Sequence, residues 1–163
     1  MDPLPIFVLQ LGWFLAAWAA LAYFVVWPWS RRLSPNAGLS VWVAPQMFRV
    51  LGLGLLVPNL APAMPRDFAV ATAVGDSLTA GLALLAFVGL HRGWGAARGL
   101  TWACMLVGSL DLLVAFPHAV RTGAMAHLAA QWYVPVFAGP VMIVSHGAGF
   151  LALLRGRGRA RQA

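Results

Sequence analysis

The chain contains no lysine and no glutamate, and it has one cysteine. Without glutamate, the paired Glu-x-x-His motifs of di-metal carboxylate bundles are excluded. With Cys104 alone, an intrachain disulfide and a cysteine-built metal site are excluded too. Cys104 lies in an apolar run and reads as a small buried hydrophobe. Charge of either sign is scarce, at 9% of residues, where soluble domains carry about 25%. The opening Met-Asp-Pro-Leu-Pro has no basic stretch, and the apolar run behind it exceeds the roughly 7–15 residues of a secretory signal core. What is plentiful is apolar: 61% of the 163 residues, against about 45–50% in soluble domains. A soluble fold with this balance lacks the polar surface to cover its core, whereas a fold facing lipid needs none.

A membrane-spanning helix needs about 20 mostly apolar residues. Four segments satisfy this directly: Leu4–Trp29, Phe68–Leu90, Gly99–Ala119 and Trp132–Leu154. A fifth, Leu39–Leu60, contains Pro45, Gln46 and Arg49, and lying along the membrane surface is its alternative. The arginines favour crossing. Arg31 and Arg32 follow the first segment, Arg92 and Arg98 separate the third from the fourth, and Arg155, Arg157, Arg159 and Arg161 form a basic tail over residues 155–163. With five spans and the N-terminus outside, all eight fall on the cytoplasmic side; with four spans the asymmetry collapses. Trp27, Trp29, Trp42, Trp94 and Trp102 then sit near the inner interface, and Trp132 and Tyr133 near the outer one. The net charge of +7 is therefore read as topology and contact with anionic lipid, not as a nucleic-acid footprint. The expectation is an all-α integral membrane protein forming one transmembrane domain. Five helices run up and down as a four-helix core plus an N-terminal helix, N-out and C-in. Arginine usage with abundant alanine suggests a GC-rich bacterial source, hence a multi-pass inner-membrane location.

Lipid gives helices little hydrophobic reason to associate, so small residues mark close contacts. The third segment carries Ala71, Gly75, Thr79 and Ala83 at four-residue spacing, with Ala73, Ser77 and Gly81 as a second row. Pro135 and Pro140 are expected to bend the last segment.

The ionisable residues inside the apolar runs are the candidates for function. Each costs roughly 2.5–3.5 kcal/mol at the bilayer centre on insertion scales. At about 1.5 Å per residue, Asp76 lies about 22 Å and Asp111 about 20 Å from the cytoplasmic end, on helices expected to be neighbours. Arg49 lies about 15 Å deep if its segment crosses, and His146 about 12 Å. Two carboxylates at close range repel unless a cation lies between them. Two readings stand side by side. Asp76, Asp111 and Arg49 form a polar site for a small apolar or cationic ligand, an ion or a proton. Alternatively, Arg49 neutralises one aspartate while Ser77, Thr79 or Ser109 satisfies the other. His146 is expected to hydrogen-bond a neighbouring helix. Haem is set aside because His91, His118 and His146 lie at different depths. His118 and His127 share the outer face and could hold a metal, but nothing specific requires one, so no cofactor is expected.

The stretch Met47–Ala119 resembles the DoxX-like family of small bacterial membrane proteins. The features are "FRVLGLGLLVP" at Phe48–Pro58, "GDSLTAGLALLAFVGLHRG" at Gly75–Gly93 and "GLTWACMLVGSLDLL" at Gly99–Leu113. The resemblance implies a four-helix bundle with an arginine early in its first helix and an acid early in its second. Arg49 and Asp76 match those places, although the family usually has glutamate at the second, and Leu4–Trp29 is extra. The Pro-interrupted "WYVPVFAGPVMIVSH" at Trp132–His146 is also similar to sterol-isomerase-type and sigma-2-type four-helix proteins. That likeness implies paired acids meeting an amine or sterol cation.

Three functions follow as rivals: a bundle binding a small molecule or ion, a structural subunit of a homo-oligomer or larger membrane complex, and a membrane enzyme acting on a lipid-like or sterol-like substrate. The last has only the two aspartates and His146 for acid–base chemistry, and no catalytic motif accompanies them.

Overall fold

Proline accounts for the irregular turns inside two of the helices. The computed structural model describes residues 4–160, with side chains through 155. Five helices in it are long and apolar enough to cross a membrane: α1 (Leu4–Ser30), α2 (Pro35–Leu56), α3 (Arg66–Arg92), α4 (Ala97–Thr122) and α5 (Ala129–Arg155). No strand occurs among the described residues. In α1 the backbone widens to a π turn at Ala22–Val26, and in α5 at Val134–Ala138. Each π turn contains the residue four before a proline: Phe24 before Pro28, and Val136 before Pro140. A proline ring collides with the carbonyl four residues back and removes its donor. The wider winding moves that carbonyl aside and keeps the helix continuous. Pro117, near the end of α4, sits in ordinary α-helix.

The termini follow local chemistry. Ser34 caps α2 by accepting from the Ala37 N–H at 3.4 Å, with Pro35 in the first turn. Gly93 and Gly123 end α3 and α4 with φ of 70° and 67°, left-handed geometry that costs glycine nothing. The second helix begins at Pro35 and ends at Leu56, four residues earlier at each end than the hydropathy of Leu39–Leu60 suggests. The basic tail is partly helix, since α-helical backbone runs on from Gly139 to Ala160. The side chains of Arg157 and Arg159, and all of Arg161, lie outside the described residues.

The second half of α2 is a 3₁₀-helix over Ala44–Leu56. Such runs rarely exceed four residues, because side chains at i and i+3 eclipse. Here eclipsing is the useful property. Val43, Gln46, Arg49, Gly52 and Leu55 recur every third residue, and all are buried. In α-winding the same stripe would drift by about 60° at each step. Pro45 lacks a donor at the head of the stretch, and Gly52 and Gly54 weaken its α-propensity. The thirteen residues then cover about 26 Å instead of about 20 Å.

Helices α2 to α5 enclose the core, and it is layered. At the end carrying Arg31, Arg92, Arg98 and Arg155, Leu39, Val43, Ala83, Leu90, Met105 and Leu153 form one apolar cluster. At the opposite end Phe7, Leu55, Phe68, Leu128 and Val136 form another. The small residues of α3 divide: Ala73, Thr79 and Ala83 are buried, whereas Ala71 and Gly81 face outward. Helix α1 stands apart, with 6% of its most apolar window buried. It leans on α5 through Phe14 and Trp18 around Phe137, and through Trp132 Nε1, which donates to Gln10 Oε1 at 2.6 Å. Near its C-terminus Trp27 stacks beside Trp42 of α2 and lies under the Arg155 guanidinium. So α1 is packed mainly on the last helix, and the four-helix core plus an extra helix is the architecture found.

Candidate functional site

Between the two apolar clusters runs a layer of buried polar side chains from three of the four core helices: Gln46 and Arg49 (α2), Thr79 (α3), and Ser145 and His146 (α5). Asp76 of α3 and Asp111 of α4 complete it, each slightly more exposed than Arg49. Arg49 joins three helices. Its Nε donates to Asp76 Oδ1 at 2.8 Å, its Nη2 pairs with Asp111 Oδ2, and its Nη1 donates to the Gly108 carbonyl at 3.3 Å. The second helix therefore brings Arg49 to both acids. Neither Thr79, Ser77 nor Ser109 takes the place of a partner to the second acid: the Thr79 hydroxyl donates to Gly75 O one turn back, and Arg49 serves both carboxylates.

Glycines make the layer possible. A Cβ at Gly52 (α2) would overlap the Asp76 carboxylate, one at Gly75 (α3) would overlap the Asp111 carboxylate, and one at Gly108 (α4) would meet the His146 ring. Asp76, Asp111 and His146 thus each lie against a glycine of the preceding helix. Sequence reading singled out the four ionisable residues but not Gly52 or Gly108. The signal available was the three-residue repeat Gln46, Arg49, Gly52.

His146 differs from its expected state. It is 4% exposed, yet neither ring nitrogen has a hydrogen-bond partner. The reason is local. The Met142 carbonyl one turn earlier already accepts from Gln46 Nε2 at 3.3 Å and Ser145 Oγ at 3.0 Å. The ring's remaining neighbours include the Gly108 backbone and the Thr79 methyl, which offers no hydrogen bond. Gln46 Oε1 is likewise unpartnered. Of the outer histidines, His118 meets Asp67 Oδ2 through its Nε2 at 3.3 Å, and no group of three metal-ligating side chains occurs among the described residues.

A cavity of about 230 Å³ opens on one side of the layer. Arg49, Asp76 and Asp111 line it, and the rest of its wall is mostly apolar, including Phe7 and Leu11 of α1, Phe68, Leu112, Met125 and Ile143. Thr72, one turn before Asp76, also lines it, and its hydroxyl is buried without a partner. His146 is not among the residues lining the cavity. With both carboxylates ionised, two negative charges face one guanidinium. The pairing and the cavity, alternatives when read from sequence, occur together.

Residues 6–154 match the family described as Domain of unknown function (DUF8737). The chain belongs to that family. The DUF8737 match takes in every residue of the polar layer and its cavity. No curated protein and no solved structure matches the chain. The functional reading therefore rests on the site itself.

Proposed function

We propose that this DUF8737 chain is a multi-pass protein of the bacterial inner membrane whose cavity binds a small, largely apolar molecule bearing a positive charge. The observation that carries the reading is the cavity: apolar walls, with two carboxylates and one guanidinium at one end. Pockets of this kind fix a ligand's orientation through a few polar groups and hold its body by apolar contact. Ionisable residues within apolar helices mark functional sites more often than not.

Membrane residence is supported by the outer surface. Leu9, Trp13, Phe24, Leu110, Leu113 and Val114 are among many large apolar side chains that are exposed. Soluble monomers rarely present such surfaces. The orientation, N-out and C-in, follows from arginines gathered at one end of the bundle. A fluorescent protein fused behind residue 163 is expected to fluoresce, and a periplasm-dependent phosphatase at the same place to stay inactive. The reverse result would invert the topology. The DoxX-like resemblance is in keeping with the site, since Arg49 and Asp76 stand at its arginine and acidic positions.

Calorimetric titration of the purified chain in mild detergent with benzyltrimethylammonium tests the site. This probe carries a fixed charge on an apolar body. Asp76→Asn and Asp111→Asn are each expected to weaken binding at least tenfold, about 1.4 kcal/mol. Equal affinity in both variants would overturn the reading.

A further inference from the structure

The polar layer does not balance its own charge. Arg49 from α2 faces Asp76 from α3 and Asp111 from α4. The layer's other titratable groups are His146 from α5 and Cys104 from α4, whose thiol donates to the Thr79 carbonyl. Helix α1 brings only Phe7 and Leu11 to the cavity. Every other described arginine belongs to a helix end or a connection. With both carboxylates ionised and the imidazole neutral, the cluster holds one uncompensated negative charge between apolar layers. Such a charge is costly unless something cancels it.

We propose that the Arg49–Asp76–Asp111 cluster exchanges one proton for one organic cation, which rests on the cavity reading above. A proton on the carboxylate pair cancels the surplus charge, and so does a bound monocation in the cavity. Both together would leave the cluster with one positive charge too many, so the two compete. The exchange forms and breaks no bond between heavy atoms. The carboxyl proton leaves to bulk water as the cation settles against the freed carboxylate, and returns when the cation departs.

Two uncommitted groups favour an exchanging site over a fixed structural clamp. His146 is buried against Gly108, whose carbonyl holds Arg49 Nη1, and both of its ring nitrogens are free of hydrogen bonds. The Thr72 hydroxyl, one turn before Asp76, is also buried without a partner. Buried polar groups are nearly always hydrogen-bonded, so two left unpaired near one ion-pair cluster call for an explanation. The apolar wall selects an organic cation over a hard inorganic one, which needs several oxygen ligands at once.

The test uses the full chain in detergent, titrated with benzyltrimethylammonium chloride in unbuffered solution containing a pH indicator. Sodium chloride at equal concentration serves as the inorganic arm. The expected result is about one proton released per cation bound, none with sodium, and an affinity that rises tenfold per pH unit through the range of release. That slope follows from the reciprocity of linked binding. Asp111→Asn, which removes the surplus charge, is expected to abolish the release. Binding without proton release and with an affinity constant from pH 5 to pH 9 would overturn the exchange and leave the cavity reading standing. Full release in Asp111→Asn, or with sodium, would also overturn it. No binding at any pH would overturn both. The pH series needs no variant, so it holds even if Asp111→Asn misfolds.

Discussion

Removing the Arg49 guanidinium would leave Asp76 and Asp111, both largely buried, without the cation they share, because Arg49 bonds both. Breaking a buried ion pair from one side typically costs about 3–5 kcal/mol. Arg49→Gln is expected to lose stability on that scale in detergent unfolding curves, and adding Asp111→Asn to it to recover part of the loss. A double variant no more stable than the single one would contradict the pairing. The glycines give a second residue-scale expectation. Gly108→Ala forces a methyl against the His146 ring and should cost about 1–3 kcal/mol, the usual range for overpacking. Gly81→Ala, with open space at its Cβ, should change stability by less than about 0.5 kcal/mol. At this scale the ionisable members were legible in sequence, because charge inside an apolar run is expensive and therefore conspicuous. Their glycine seats were not, since a close approach between helices leaves no mark on a single chain. The unpartnered state of His146 was hidden for a similar reason: it depends on Gln46 and Ser145 taking the Met142 carbonyl first.

At the scale of the element, α2 carries the most information. Its 3₁₀ winding from Ala44 keeps Gln46, Arg49 and Gly52 on one line and so decides which helix face meets the acids. Single cysteines placed along residues 46–56, in a Cys104→Ala background, should react with a thiol reagent with a period of three. Positions 46, 49, 52 and 55 should be protected and 48, 50, 51, 53 and 56 labelled. A period of 3.6 would contradict the winding. The helices themselves were legible from hydropathy, including the one interrupted by Pro45, Gln46 and Arg49. The 3₁₀ and π geometry was not, because hydropathy reports burial and length but not the pitch of the backbone. The positions of Pro28 and Pro140 hold the clue: each lies four residues beyond the centre of a π turn.

At the scale of the molecule, two apolar clusters sandwich one polar layer, and a loosely held helix closes part of the cavity wall. Because α1 buries so little, deleting residues 1–30 should leave the four-helix core folded, with its unfolding midpoint little changed, while stripping Phe7 and Leu11 from the cavity. Collapse of the truncated chain would show that α1 belongs to the core. The count of five apolar helices and the gathering of arginines at one end were legible because both are one-dimensional properties. That α1 docks on α5 was not, since it depends on Gln10 meeting Trp132 and on aromatic rings 120 residues apart in sequence.

The central claim is that a positive charge is held at the polar layer from inside the cavity. Parallel titrations of benzyltrimethylammonium and its uncharged isostere neopentylbenzene, into the unmodified chain and Ala115→Phe, test it most directly. Ala115 lines the cavity one turn beyond Asp111, and Phe there fills space while leaving Arg49, Asp76 and Asp111 themselves unchanged. The account predicts that the unmodified chain prefers the cation at least tenfold and that Ala115→Phe, still folded, loses both ligands. Equal affinity for the two ligands, or undiminished cation binding in Ala115→Phe, would contradict it.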